Sequence, residues 1–277
     1  MTKTKVQKKN SNISLKKTKD KALSIQFSLD GFSFCISDFV SKAIVFFTTY
    51  QFDETINAPE DLLKEIKTIF KSDANLQLEY KSVTIIHQNN LSTIVPNNYF
   101  DEKSLDSYLN YNVKTLKNDF ITFDDIPKIK AKNVYVPYVN INNYLFQNFG
   151  EFEYKHHHTV LLEKLLKVNN TNEKVMYINV SKNNLDITVL EHKKLILINS
   201  FSYTTKEDFI YYILFTAEQL QLNTEDFKLF FTGEINIETA IYKITYTYIK
   251  NIFFLVSENS IFNDLELANH SNYILLG

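Results

Sequence analysis

The chain of 277 residues contains no arginine and no tryptophan, so all 30 of its basic Lys+Arg positions are lysines. Without a guanidinium there is no planar fork to grip carboxylate, phosphate or guanine at two points, and no arginine finger of the chain's own. Lysine can still meet an anion as a point charge. Four glycines and four prolines exclude collagen-like and Gly/Pro-rich low-complexity classes and leave little material for a glycine-rich phosphate loop. The single cysteine, Cys35, excludes an intrachain disulfide and a multi-cysteine zinc site. Flanked by Phe34 and Ile36 in an alternating run, it is expected to be a buried, inert thiol. No apolar run approaches the ~18 residues of a membrane span, and no apolar segment follows the lysine-rich start, so a cytoplasmic protein is expected. A formal charge of −2 gives no chain-wide field for nucleic acid or membrane.

What is present is enough apolar material, 44% of the residues against 22% charged, for one large or two small cores. Residues 1–22 are rich in lysine (Lys3, Lys5, Lys8, Lys9, Lys16, Lys17, Lys19, Lys21) and poor in apolar side chains, and a disordered tail is expected. A nucleic acid could be touched only through this tail, which has no interleaved aromatics to stack bases. From Leu23 onward, apolar and polar residues alternate to Leu29, Asp30-Gly31 supplies a turn dipeptide, and Phe32, Phe34 and Ile36 alternate again. Residues 42–51 give a third strand. Pro59 opens a helix carrying Leu62, Leu63, Ile66, Ile69 and Phe70 on one face. A strand over 83–87, a weaker helix over 102–118 and a short strand over 133–137 complete the first series.

The second half repeats this order. Residues 175–181 and 185–190 read as a hairpin turning at Asn183-Asn184, and 194–201 as the third strand. Thr204 and Glu207 carry a capping-box pattern before a helix with Ile210, Ile213, Leu214, Ala217 and Leu220 on one face. A strand over 227–232, a helix over 237–248 and a strand over 251–256 follow. Laying Leu23 on Met176 overlays the two hairpins without a gap: Ile25 meets Ile178, Phe27 meets Val180, and Phe32, Phe34 and Ile36 meet Leu185, Ile187 and Val189. A shared order of strand, strand, strand, helix, strand, helix, strand in both halves indicates an internal duplication.

Two such α/β halves, together with Leu23-Ser-Ile-Gln-Phe-Ser-Leu-Asp-Gly-Phe-Ser33, Phe149-Gly-Glu-Phe152 and Thr232-Gly-Glu234, resemble the actin-like ATPase architecture. They resemble in particular an uncharacterised family of bacterial proteins with that fold. The resemblance implies a duplicated β-β-β-α-β-α-β (ribonuclease H-like) chain, with lobes over 23–150 and 151–277 and a cleft between them. Active members of the superfamily carry Asp-x-Gly on each first hairpin, the acid helping to hold metal and water, the glycine admitting phosphate. The corresponding positions here read Gln26-Phe27-Ser28 and Asn179-Val180-Ser181. A neutral amide brings no charge to Mg²⁺, and a Cβ obstructs backbone approach. The strand that meets adenosine in active members ends here as Thr232-Gly233-Glu234, and Asp186 is left as the carboxylate expected near the cleft.

The resemblance therefore implies nucleotide-cleft candidates Gln26, Ser28, Asn179, Ser181, Asp186, Thr232 and Gly233. It implies a pseudo-ATPase that works through a protein partner rather than through ATP and Mg²⁺. The rival expectation is a diverged nucleotide-binding protein or ATPase relying on Asp186, Thr232 and Gly233. Other constellations read as structural. His156-His157-His158 is expected to be polar sequence entering a helix over 159–168 rather than a metal cluster, and His87 a satisfied strand-end residue. Of the acidic pairs, Glu60-Asp61 and Glu207-Asp208 suit first turns of helices; Asp124-Asp125 is expected to be structural too.

Overall fold

A computed structural model describes the backbone of residues 4–9 and residues 18–111, 113, 115, 116 and 119–277. The first half runs β1 (Thr4–Lys9), β2 (Lys21–Ser28), β3 (Gly31–Asp38), β4 (Ile44–Phe52), α1 (Pro59–Ser72) and β5 (Ser82–His87). An excursion follows through β6 (Ser92–Pro96), α2 (Leu105–Asn110), β7 (Thr122–Ile126) and β8 (Ala131–Tyr135), and the half closes with α3 (Val139–Phe149) and β9 (Glu153–His156). The second half runs α4 (His157–Val168), β10 (Lys174–Val180), β11 (Asn184–Glu191), β12 (Lys194–Ser202), α5 (Lys206–Gln219), β13 (Lys228–Gly233), α6 (Ala240–Tyr248) and β14 (Asn251–Phe254), then α7 (Ile261–Asp264) and α8 (Tyr273–Leu276).

Two sheets carry the same topology. The first has the order β1-β4-β3-β2-β5-β9 and the second β12-β11-β10-β13-β14. Without β1, each is a three-stranded meander extended by two parallel strands that cross over through helices. Register repeats as well as order. Phe27 pairs with Phe32 and Val180 with Leu185 across the hairpins, and Ile25 pairs with Ile85 where Ile178 pairs with Phe231. Even the irregularities match: the β3–β4 ladder shifts between Ile36 and Ser37, the β11–β12 ladder between the corresponding Val189 and Leu190.

Alternation explains the layering, because a strand's odd and even residues face opposite sides. Leu23, Ile25 and Phe27 turn outward onto α1 and α3, packing with Ile66, Phe70 and Leu145. Met176, Ile178 and Val180 turn onto α5 and α6, packing with Phe209 and Ile213. The other faces look toward each other, and between them lie Phe47, Tyr177, the α4 residues Leu161, Leu162 and Leu165, and Ile274 from α8. Cys35 belongs to this inner layer, 3% exposed, with burial pushing its thiol up to about 12.

Several expectations need correction. The expected disordered tail over 1–22 holds neither for Thr4–Lys9, which pairs antiparallel with β4, nor for Lys21 and Ala22, which begin β2. The open edge of β4 offers unpaired backbone groups that a strand can satisfy whatever its side chains. Residues 1–3 and 10–17 lie outside the described residues. The hairpin turns sit one residue earlier than expected, on Leu29-Asp30 and Lys182-Asn183, since Gly31 and Asn184 are already the first residues of β3 and β11. The capping box is made by Thr205 and Asp208 rather than Thr204 and Glu207.

The expected helix over 102–118 shrinks to α2 within the excursion, and its place in the repeat is taken by α3. Four asparagines in α3 (Asn140, Asn142, Asn143, Asn148) depress helix propensity and hide it. Glu153–His156 pairs with β5 in the first sheet, so the expected boundary after residue 150 falls short of this strand. No helix among the described residues is long and apolar enough to cross a membrane.

Candidate functional site

The two hairpins bring their ends together across a narrow cleft. Gln26, Ser28, Asp30 and Ser33 from the first half, Asn179, Ser181 and Lys182 from the second, and Gly233 at the end of β13 with Glu234 just after it line the cleft, with Gln88 reaching in from the end of β5. The enclosed volume is about 80 Å³. Five of the expected residues therefore meet here: Gln26, Ser28, Asn179, Ser181 and Gly233. Thr232 and Asp186 do not line the cleft. Thr232 is buried with its hydroxyl donating to Asn179 Oδ1 (3.2 Å), one layer behind.

Side-chain hydrogen bonds, one of them relayed to the Asp30 carboxylate, and one lysine tie the two halves together at the cleft. Gln26 Nε2 donates to Gln88 Oε1 (2.6 Å), and Gln88 Nε2 donates across the gap to Ser181 Oγ (2.9 Å). Asn183 Nδ2 donates to Thr55 Oγ1 (2.8 Å), whose hydroxyl donates in turn to Asp30 (2.6 Å). Lys182 Nζ donates to the carbonyls of Phe52 and Asp53, both at 3.1 Å. Asn90 Nδ2 reaches Asn184 Oδ1 (3.1 Å) beyond the second hairpin. Asp30 and Glu234 put two carboxylates on the lining that sequence reasoning missed. Asp30 had been absorbed into a turn dipeptide, and Glu234 stands where a glycine was the expected feature.

Gly233 has a packing reason of its own. Its φ is +87°, and a Cβ there would collide with the carbonyl oxygen of Val180. Its N–H is committed to the carbonyl of His270 (2.8 Å), and the next N–H, of Glu234, to that of Val180 (2.8 Å). The retained glycine lets the β13 end hug β10, and neither amide is free for a phosphate. Gly31 works similarly: a Cβ would come within 2.7 Å of the Tyr50 carbonyl oxygen, so the glycine admits β4 rather than making the turn.

Asp186 is buried in a second polar cluster behind Asn179. Its carboxylate accepts from Asn179 Nδ2 (3.0 Å) and Ser200 Oγ (2.6 Å), and lies 3.3 Å from His157 Nε2 through Oδ2 and 3.3 Å from His158 Nε2 through Oδ1. Burial by itself raises the carboxyl pKa, but the two rings and the hydrogen bonds outweigh it and hold Asp186 well below the usual carboxylate range. Burial, with His157 adding repulsion, depresses His158. The histidine run thus belongs to the first turn of α4 and its cap. His156 Nδ1 accepts from the His158 N–H (3.2 Å), while Asp124 accepts from the His156 N–H (2.8 Å) and the Thr159 hydroxyl (2.7 Å). His157, His158 and Asp186 place three potential metal-ligating atoms within 4.8 Å of one another. The helix geometry explains why sequence missed this: adjacent residues diverge around a helix interior, but at its first turn both rings reach β11.

His87 is satisfied as expected. Nε2 meets Asn142 Oδ1 (3.0 Å), Nδ1 accepts from the Tyr138 N–H (3.2 Å), and burial drives its pKa down to about 3.

The chain belongs to a family described as "Protein of unknown function (DUF3822)", whose model matches residues 10–252. A solved Bacteroides thetaiotaomicron protein, described as having an actin-like ATPase fold and unknown function, is 26% identical with a TM-score of 0.78, over 88% of this chain and 94% of that one. Fold alone is shared with a chain of the PilM-PilN type IV pilus biogenesis complex (9% identity, TM-score 0.54, 85% and 88% covered). The same holds for the ethanolamine utilization protein EutJ from Carboxydothermus hydrogenoformans (7%, 0.51, 93% and 90%). The fold is the actin-like ATPase fold expected from the duplicated hairpins. Curated proteins give no match.

Proposed function

We propose that this is a non-catalytic, cytoplasmic binding or assembly protein that keeps the actin-like fold as a scaffold and has closed its nucleotide cleft. The observation that carries this reading is the cleft itself. Its roughly 80 Å³ compares with the ~300–1,000 Å³ of ordinary small-molecule sites, and it is bridged by Gln88–Ser181, Asn183–Thr55 and the two Lys182 contacts. A triphosphate would have to break those bonds and then find amides at Gln26 and Asn179 where anionic metal ligands are wanted. Asn179 is committed at both ends, to Asp186 and Thr232, and the Gln26 Nε2 is given to Gln88, while Gln26 Oε1 is buried without a partner. The alternative, a diverged nucleotide-binding protein or ATPase, must assign Asp186 to metal in the cleft, yet that carboxylate faces α4.

A protein partner fits the surface better. Along β12, the outer strand of the second sheet, runs a groove of about 910 Å³ lined by Ile94, Ile129, Leu195 and Ile198 and rimmed by Lys128, Lys130 and Lys194. An outer strand beside apolar side chains is a ready template for an added chain, and the PilM-PilN complex gives the fold a protein-bound precedent. The test is phosphate release from Mg²⁺-ATP by the full chain. The expected result is no release above buffer; steady turnover that vanishes in Asp186→Ala would favour the enzyme.

A further inference from the structure

We propose that His157, His158 and Asp186 form a site for a divalent transition-metal ion, zinc being the best match, that staples the β10–β11 hairpin to α4. The donors come from two elements, the first turn of α4 and the strand β11. Among the described residues, the only ion-pair partners of Asp186 are these two imidazoles. All three side chains are at most 5% exposed. A dication would neutralise a carboxylate that the fold has otherwise taken out of water.

The spacing suits the ion. Zinc bonds of about 2.0–2.1 Å to nitrogen and oxygen set ligand-to-ligand edges of about 3.3 Å in a tetrahedron. Each imidazole stands 3.3 Å from its own carboxylate oxygen, His157 Nε2 from Oδ2 and His158 Nε2 from Oδ1. One donor atom from each of the three residues falls within 4.8 Å of the others, a set that an ion would draw closer together. Two imidazoles and a carboxylate, with no thiolate, suit Zn²⁺, Co²⁺ or Ni²⁺ rather than Cu⁺.

The surroundings of His158 are arranged as a metal-bound histidine requires. An imidazole that binds metal through Nε2 must carry its proton on Nδ1, and that proton wants an acceptor. His158 Nδ1 faces Ser92 Oγ at 3.0 Å, so Ser92 is a positioning residue that can fix the tautomer. Ser200 Oγ adds a fourth oxygen beside the same edge, 2.9 Å from His158 Nε2 and 2.6 Å from Asp186 Oδ1. His157 Nδ1 is buried with no hydrogen-bond partner. Binding metal through His157 Nε2 would place a proton on that Nδ1 with no protein acceptor beside it, so only the His158 ligand has a partner that fixes its tautomer. Metal entry replaces the His–Asp contacts, and the Nδ1–H of His158 then donates to Ser92 Oγ.

The test uses the full chain stripped with a chelator, then titrated with CoCl₂ and ZnCl₂. The expected result is a single Co²⁺ per chain with the intense visible bands of a low-coordinate N/O site, bleached by Zn²⁺, and a rise in melting temperature with Zn²⁺. His157→Ala/His158→Ala should abolish the bands, and Ser92→Ala should weaken Co²⁺ binding about tenfold. Pale, octahedral Co²⁺ in the unmutated chain with no Zn²⁺-induced melting shift overturns the site, as do bands of undiminished affinity in the double variant. Should near-ultraviolet circular dichroism find the double variant unfolded, Asp186→Asn, which keeps every heavy atom in place, decides by the same two outcomes.

Discussion

The two hairpins are the same object folded twice, and their polar layers have diverged. Gln26 pairs with Ser33, and Ser33 with Thr49; at the corresponding positions Asn179 pairs with Asp186, and Asp186 with Ser200. In the first half the row is neutral and lines the cleft, Ser33 donating to Thr49 Oγ1 (2.8 Å). In the second it contains a buried carboxylate, and two histidines of α4 cover it. Position by position, the fourth strands differ too: Phe27 pairs with His87, whose ring packs edge-on at 5.0 Å, whereas Val180 pairs with Gly233 and admits no side chain. A duplicated backbone thus specifies where polar groups stand, while the layer packed behind decides whether they face a cleft or a core.

The largest expected effect tests that contrast directly. Asp186→Ala should cost about 3–5 kcal/mol, because it leaves buried imidazoles, Asn179 and Ser200 without their acceptor. Ser33→Ala, the same position in the first half, should cost about 1 kcal/mol. Urea denaturation of both variants measures the gap, and equal losses would erase the distinction. Next, Gly233→Ala should lose about 1–3 kcal/mol to backbone strain and a similar amount to overpacking against Val180. Gly150→Ala, at φ +72° with open space around it, should lose the strain alone.

Acid should separate the buried histidines from the carboxylate. His87, at about 3, and His156 and His158, also depressed, are neutral in the fold, whereas an unfolded histidine protonates near 6.5. Between those values the unfolded chain binds more protons, so stability rises with pH. It should be level above about pH 7 and decline as pH falls from about 6.5 toward 3. The Asp186 contribution, from a depressed carboxyl, should persist until pH drops below about 4. Urea midpoints across pH give the curve, and His87→Asn should make its slope between pH 6 and 4 shallower. The smallest effect is expected at the cleft: Gln88→Ala removes the bridge to Ser181 and should cost about 0.5–1.5 kcal/mol.

Alternation, turn residues and the repeat made the two meanders, their register and the helices after them legible from sequence, because each of those signals is local. Within the excursion, the strand expected over 133–137 is there as β8 and the helix over 102–118 survives as α2. Their place outside the repeat was not legible, nor were β6 and β7, since these short strands pair with β8 rather than with either main sheet. Nor was β9, four residues long, or α3 with its asparagines. In the cleft, the amides Gln26 and Asn179 and the serines Ser28 and Ser181 were placed by the resemblance to the Asp-x-Gly positions of the actin-like fold. Asp186 was misjudged because its position along β11 does not disclose which layer covers it, and the His157–His158 pair was missed because its partner lies on another element. Glycine at 233 lines the cleft as expected, and its close packing against Val180 was not legible from sequence.

Isothermal titration of the full chain with Mg²⁺-ATP tests most directly the proposal that the cleft no longer seats a triphosphate. Heat no larger than dilution is the result expected from a cleft held by Gln88, Asn183 and Lys182. Saturable, magnesium-dependent binding in the micromolar range, weakened by Gln26→Ala and Asn179→Ala, would contradict it.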